Sequence, residues 1–192
     1  MPEQEQKSVK RFDIATIAEA GIMLALAVVL NAITFYEMPN GGSISLFGYL
    51  PLFIFAIRHG FSKGILLGAI YGLIDFIMKP FFVNVAQFLI DYILAYGSLG
   101  IAGLAYSFNK KMPKLNDMRI NPANVAFCLL AGLVRIAFAV ISGIAFYAEG
   151  KPFWPAFDFS FAYNFPYGIV NTLLAILGVI ILQPVLKRFI RK

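Results

Sequence analysis

The chain has 192 residues, of which 60% are hydrophobic and 14% charged, with a mean hydropathy of +0.78. A soluble domain carries about 25% charged residues, so the composition excludes an ordinary water-facing globule and points to lipid as solvent. The net charge of +6 excludes nucleic-acid binding once its placement is considered, and the single Cys128 excludes a disulfide framework or a cysteine metal cluster.

Residues 1–13 are polar and basic and form a cytoplasmic segment. The apolar block that follows, residues 14–35, lacks a small-residue cleavage site and is a retained helix rather than a signal peptide. Five further blocks cover residues 46–57, 65–78, 83–108, 125–147 and 159–186. The second and third are shorter than the roughly 20 residues a perpendicular span needs, so they are short, tilted or broken near the Gly-rich stretch MPNGGS. The expected fold is an all-α integral membrane protein, one domain over residues 1–192, with six transmembrane helices.

Basic residues set the orientation. Lys7, Lys10, Arg11, Arg58, Lys63, Lys110, Lys111, Lys114, Arg119, Lys187, Arg188, Arg191 and Lys192 fall on one side, four of them in the basic loop 108–123. The other side holds Lys79 and Lys151. This bias places the first side, with both termini, in the cytoplasm, and it accounts for the positive charge without a nucleic acid. The outer loops, residues 36–45 and 148–158, carry Glu37, Glu149 and Asp158. The segment EGKPFWPAFD, with two prolines around the only Trp, reads equally as an interfacial belt or as a stiff loop over a cavity.

Ionisable groups within the apolar blocks are costly in lipid and are therefore functional candidates. Glu19 lies near the cytoplasmic headgroups and Asp75 near the outer end of its block, while Arg135 is expected to pair with a carboxylate. Asp91 is the strongest candidate. It sits mid-block in AQFLIDYILAY, one turn after Gln87 and beside Tyr92, where a buried carboxylate facing a cavity favours a cationic ligand. Small residues recur as Gly21-xxx-Ala25, Gly68-xxx-Gly72 and Gly97-xx-Gly100-xx-Gly103. Such spacing lets helix backbones approach closely, either within the bundle or against a partner helix.

The chain lacks GxxxxGK[ST], HExxH, GxSxG and CxxC, and its one histidine, His59, lies in a loop. It therefore neither hydrolyses ATP by itself nor displays a nucleophile–base pair or metal ligands, and no enzyme activity, metal or cofactor is expected.

The runs MPNGGSISLFGYLPLFIFAIRHGFSKGILLGAIYGLI, AQFLIDYILAYGSLGIAGL, VISGIAFY and FAYN, in order and spread over nearly the whole chain, resemble the thiamine-specific S components of energy-coupling factor (ECF) vitamin transporters. The resemblance implies a substrate-binding subunit of the bacterial cell membrane that takes the vitamin at its extracellular side. It also implies partners: a shared ECF transmembrane subunit, contacted through Gly21 and Ala25, and two cytoplasmic ATPases. The family's acidic residue corresponds to Asp91 and its Asn to Asn164, while aromatic positions correspond to Tyr71 and Tyr147; Gln87, Tyr92, Trp154 and Phe159 complete the expected substrate-binding set. Two positions depart from the pattern, Ala139 where the family has His and Phe159 where it has Tyr. These departures leave open an S component for another small vitamin or precursor. An ion-coupled carrier working alone would show an inverted repeat, and none is visible.

Overall fold

The computed structural model describes residues 13–39, 41–148 and 150–190, with side chains as far as Lys187. Lys7, Lys10, Arg11, Glu149, Arg191 and Lys192, with all but the last residue of the segment 1–13, lie outside the described residues, as does the Arg188 side chain. Among the described residues the regular secondary structure is helical except for one small hairpin.

Helix α1 covers Ile14–Ala32 and is capped by Asp13, whose carboxylate accepts from the Thr16 amide at 2.9 Å. The Thr16 hydroxyl and then its amide, hydrogen-bonding to the carboxylate, hold the Asp13 carboxyl below its usual range. At 1.5 Å per residue the helix is about 28 Å long, matching the hydrocarbon thickness. Most of its surface faces outward, with Thr16 and Ala27 its buried residues. Beyond it, β1 (Thr34–Glu37) pairs antiparallel with β2 (Ser43–Ser45), so part of the stretch expected to be an outer loop is a hairpin.

The second apolar block becomes helix α2, Leu50–His59, and its expected start at 46 is corrected by Phe47, which takes φ 57, and by Pro51 in the first helical turn. Leu50 through Ile57 are all buried. At about 15 Å, α2 is too short to cross a bilayer. It ends at Gly60, whose φ of 91 suits glycine and turns the chain directly into α3, Phe61–Met78. The fourth block is one continuous helix, α4, Val85–Lys111, containing a π-helical stretch at Leu89–Leu94 and a 3₁₀ stretch at Ser98–Gly103. A short helix α5 (Lys114–Asp117) precedes α6, Pro122–Tyr147, whose last turn, Gly143–Tyr147, is also π-helical. Helix α7, Phe153–Ile190, starts earlier than its apolar block suggested. Pro152 and Pro155 fall where a helix start tolerates them, so EGKPFWPAFD largely forms the first turns of α7 instead of a free loop.

Among the described residues, five helices, α1, α3, α4, α6 and α7, are long and apolar enough to cross a membrane. The buried α2 packs among α1, α3, α4 and α7. The α3–α4 contact is a glycine seam. A Cβ on Gly68 would lie 2.2 Å from the Tyr96 carbonyl oxygen, one on Gly72 2.1 Å from that of Tyr92, and one on Gly100 2.1 Å from the Ile65 nitrogen. Backbones this close admit no side chain, so these small residues serve packing inside the bundle. Gly21 and Ala25 differ: both are exposed, and a Cβ on Gly21 meets nothing within 4 Å. At the end of the bundle away from the hairpin, Asn109, Asn116, Asn121, Asn124 and Gln183 form a buried amide chain that ties the basic loop to α4, α6 and α7. Glu19 pairs with Arg58 and His59 at that same end, joining α1 to α2.

Candidate ligand-binding site

A cavity of about 370 Å³ opens beneath the hairpin, between α3, α4, α6 and α7. This volume lies within the range of small-molecule sites. Asp91, Gln87, Tyr92, Tyr147, Asn164 and Phe159 all line it.

Asp91 lies in the π-helical stretch of α4, whose widened turn is a common device for re-aiming a side chain. Asn84 caps the start of α4 by accepting from the Gln87 amide at 2.9 Å. The Gln87 side chain accepts from the Val83 amide at 3.2 Å and donates its Nε2 to Asp91 Oδ2 at 2.7 Å. The carboxylate is thus oriented through one oxygen. Asp75, a second carboxylate of the cavity, is engaged at both: Asn31 donates to Oδ1 at 3.1 Å and the Tyr96 hydroxyl to Oδ2 at 2.8 Å. Asp75 is thus tied to α1 and α4 through both oxygens, whereas Gln87 holds Asp91 through one.

Aromatic rings form much of the remaining wall. Tyr147 stacks on Phe81 with centroids 5.8 Å apart. The Tyr92 hydroxyl accepts from the Phe81 amide at 3.1 Å, which fixes the short loop between α3 and α4. From α7, Ser160, Asn164, Tyr167 and Asn171 follow helical spacing and line one side. Tyr167 donates to Asn164 Oδ1 at 2.7 Å, and Asn164 donates to the Ser160 carbonyl at 2.9 Å. Asn171 pins the hairpin, accepting from the Ser45 amide at 3.0 Å and donating to the Ser43 carbonyl at 2.7 Å. The Lys79–Glu37 ion pair, 2.7 Å, holds the hairpin's other strand to the end of α3. At the rim, Lys151 lies 4.3 Å over the Phe159 ring.

Three expectations change. Tyr71 does not line the cavity; it is 1% exposed and packs edge-on against Tyr96, 5.0 Å away, behind the wall. Trp154 is 71% exposed on the first turn of α7, against Phe153 and Phe157, and does not reach the cavity. Arg135 has no carboxylate at ion-pairing distance among the described residues; its guanidinium rests 4.9 Å from the Tyr49 ring and 4.6 Å from the Tyr96 ring. Sequence reasoning passed over Asn31, Tyr49, Tyr96, Ser160, Tyr163, Tyr167 and Asn171, all of which line the cavity. The helical spacing of polar residues through the apolar α7 was the signal that could have found four of them.

The arrangement suits a cationic, flat ligand: carboxylates supply counter-charge, tyrosine faces supply stacking surface, and amides supply hydrogen bonds. Comparison with known proteins agrees. Residues 17–191 match the thiamine transporter protein family. The thiamine transporter ThiT of Bacillus subtilis is 30% identical over 169 residues, 84% of this chain and 86% of the relative. ThiT of Lacticaseibacillus paracasei is 24% identical over 146 residues, 72% of this chain and 71% of that one. The solved structure of ThiT from Listeria monocytogenes superposes with a TM-score of 0.76 at 23% identity, covering 92% of this chain and 97% of its own, and so shares the fold. With its apolar helices, the chain is a multi-pass protein of the bacterial membrane, and it belongs to the thiamine transporter family.

Proposed function

We propose that this chain is the thiamine-binding subunit of an ECF-type importer, taking the vitamin in the cavity beneath the hairpin and working with a shared transmembrane subunit and two cytoplasmic ATPases. The observation that carries the reading is Asp91: a carboxylate in an aromatic cavity, oriented by Gln87 through one oxygen and able to accept at the other. A thiazolium is a fixed cation. A carboxylate counter-charge and a tyrosine face, the latter worth roughly 0.5–2 kcal/mol, match it without needing a proton. In this reading Asp91, Gln87, Tyr92, Tyr147, Phe159 and Asn164 contact the vitamin, and the chain carries out no chemical step on it.

Orientation follows from charge. Arg58, Lys63, Lys110, Lys111, Lys114, Arg119 and Lys187 gather at the end opposite the hairpin, which supports that end as cytoplasmic and the cavity as extracellular. The bundle then has six segments, five full spans and the buried α2, with both termini inside. The exposed Gly21 and Ala25 stripe supports α1 as the face that meets the transmembrane partner.

Titration calorimetry of the purified protein with thiamine tests the reading. Saturable binding to one site is expected. Absence of heat up to millimolar vitamin, in protein that melts cooperatively, overturns the thiamine assignment in favour of an S component for another compound.

A further inference from the structure

Among the described residues, the end of the bundle opposite the hairpin carries two groups of cations, and they are balanced differently. At the turn from α2 into α3, Arg58 and His59 both meet Glu19, and Lys63 lies within electrostatic reach of Asp13. Over residues 108–123, by contrast, Lys110, Lys111, Lys114 and Arg119 share a single carboxylate, Asp117. All four cations are exposed. Lys110 and Lys111 close the last turn of α4, where the helix dipole favours positive charge, but Lys114 and Arg119 lie beyond it. The topology rule asks for positive charge at this end, not for its concentration on one loop. The loop is also firmly held. Asn121 caps α6, its Oδ1 accepting from the Ala123 and Asn124 amides, so its Nδ2 is left to donate elsewhere. That one nitrogen donates to Asn109 Oδ1 at 3.0 Å and to Asn116 Oδ1 at 3.2 Å, which fastens the start, middle and end of the loop together. Lys187 of α7 adds a bond to the Asp117 carbonyl at 2.7 Å and brings a fifth cation. On this frame Met112, Met118 and Ile120 are 49%, 47% and 49% exposed. Apolar side chains interleaved with cations suit the boundary between lipid headgroups and acyl chains better than open water.

We infer that the 108–123 loop is a docking surface for anionic phospholipids, its four cations taking the headgroup phosphates while Met112, Met118 and Ile120 enter the acyl boundary. Only residues 112–121 lie between α4 and α6, so the loop stays at the membrane surface, within about 8 Å of headgroups, where charge is not screened away. Because the amides already hold the loop in shape, little order has to be imposed on it when lipid binds. An acidic protein face would satisfy the cations equally, but it gives the three apolar side chains nothing to enter. The inference is independent of which vitamin the cavity takes.

The test uses the full-length protein in non-ionic detergent, with phosphatidylglycerol and phosphatidylcholine of identical acyl chains as probes. Native mass spectrometry reads the lipid bound to wild type and to a variant combining Lys110→Gln, Lys111→Gln, Lys114→Gln and Arg119→Gln, with melting temperature recorded for each. Because the two lipids share their acyl chains, the ratio of their affinities isolates the headgroup. The expected result is a preference for phosphatidylglycerol of about tenfold or more in wild type, falling to within about twofold in the Gln variant. A second variant, combining Met112→Ser, Met118→Ser and Ile120→Ser, should keep the preference while binding both lipids several-fold less. No preference in wild type, a preference intact in the Gln variant, or undiminished lipid binding by the Ser variant overturns the inference. Displacement of phosphatidylglycerol by millimolar inorganic phosphate also overturns it, making the loop a site for the free anion. If the Gln variant keeps its lipid preference but no longer co-purifies with the ATPase subunits, the loop is a protein-docking surface and the inference fails. Should the Gln variant not fold, Lys114→Glu decides: a several-fold fall in the ratio upholds the inference, and an unchanged ratio overturns it. Thiamine titrated into the same wild-type sample reports on the proposed function separately.

Discussion

Two stripes of small residues look alike in the sequence and behave oppositely in the fold. Gly68 and Gly72 are buried in the α3–α4 seam, where even a methyl group would strike backbone, whereas Gly21 and Ala25 lie on the open face of α1. The seam brings together the helices that carry Asp75, Asp91, Tyr92 and Tyr96, so the cavity depends on it; the α1 face lies outside that arrangement. Small-xxx-small spacing therefore states that something comes close, and only burial states whether that something belongs to the same chain.

The sharpest way to break the contrast is Gly72→Leu. The new side chain has to displace the Tyr92 carbonyl or part the helices, and a loss of about 4 kcal/mol or more is expected, at the far end of single-residue effects. Thermal melting in detergent should show little folded protein; a melting point within a few degrees of wild type would mean the seam can open.

Asp91→Asn probes the cavity while leaving the seam alone. Affinity for thiamine should fall by about 1.5–3 kcal/mol, the range for a hydrogen bond to a charged group, with melting unchanged. Calorimetry that finds equal affinity in well-folded protein would make Asp91 structural and shift the counter-charge to Asp75.

The smallest change in the isolated protein is expected from Gly21→Leu combined with Ala25→Leu. On an exposed face these should alter stability by no more than about 0.5 kcal/mol and leave vitamin binding intact. Co-purification with the transmembrane partner, and uptake in cells holding the whole transporter, should nevertheless be lost, because bulky side chains hold two helices apart. Binding and folding lost together would place this stripe inside the bundle, while co-purification that survives would move the partner to another face.

Hydropathy located every long helix to within four residues at each end, the start of α7 excepted, because apolar length is a direct requirement of lipid. The hairpin was less visible. Its strands are three and four residues long and are fastened by Asn171, more than a hundred residues away, a contact no local pattern encodes. Asp91 and Gln87 were legible because an acid and an amide one turn apart are conspicuous in an apolar run. Tyr71 and Trp154 were misplaced for a different reason. Aromatic residues are common in such helices, and which way a ring points depends on rotation about the helix axis: Tyr71 turns into the core and Trp154 outward. Arg135 was noticed, but its environment of two tyrosine rings comes from the residue that precedes α2 and from α4, and neither is near it in sequence.

The widened turn at Leu89–Leu94 makes one gene lesion unusually deceptive. Deleting a single codon there removes the extra residue that the wide turn accommodates and lets the helix close to ordinary α pitch with its flanks still in register. The side chains within the turn, Asp91 among them, would then be re-aimed, while the apolar span stayed long enough to insert in the membrane. Cells carrying such an allele would make, insert and retain the protein in normal amounts, and would still starve for the vitamin.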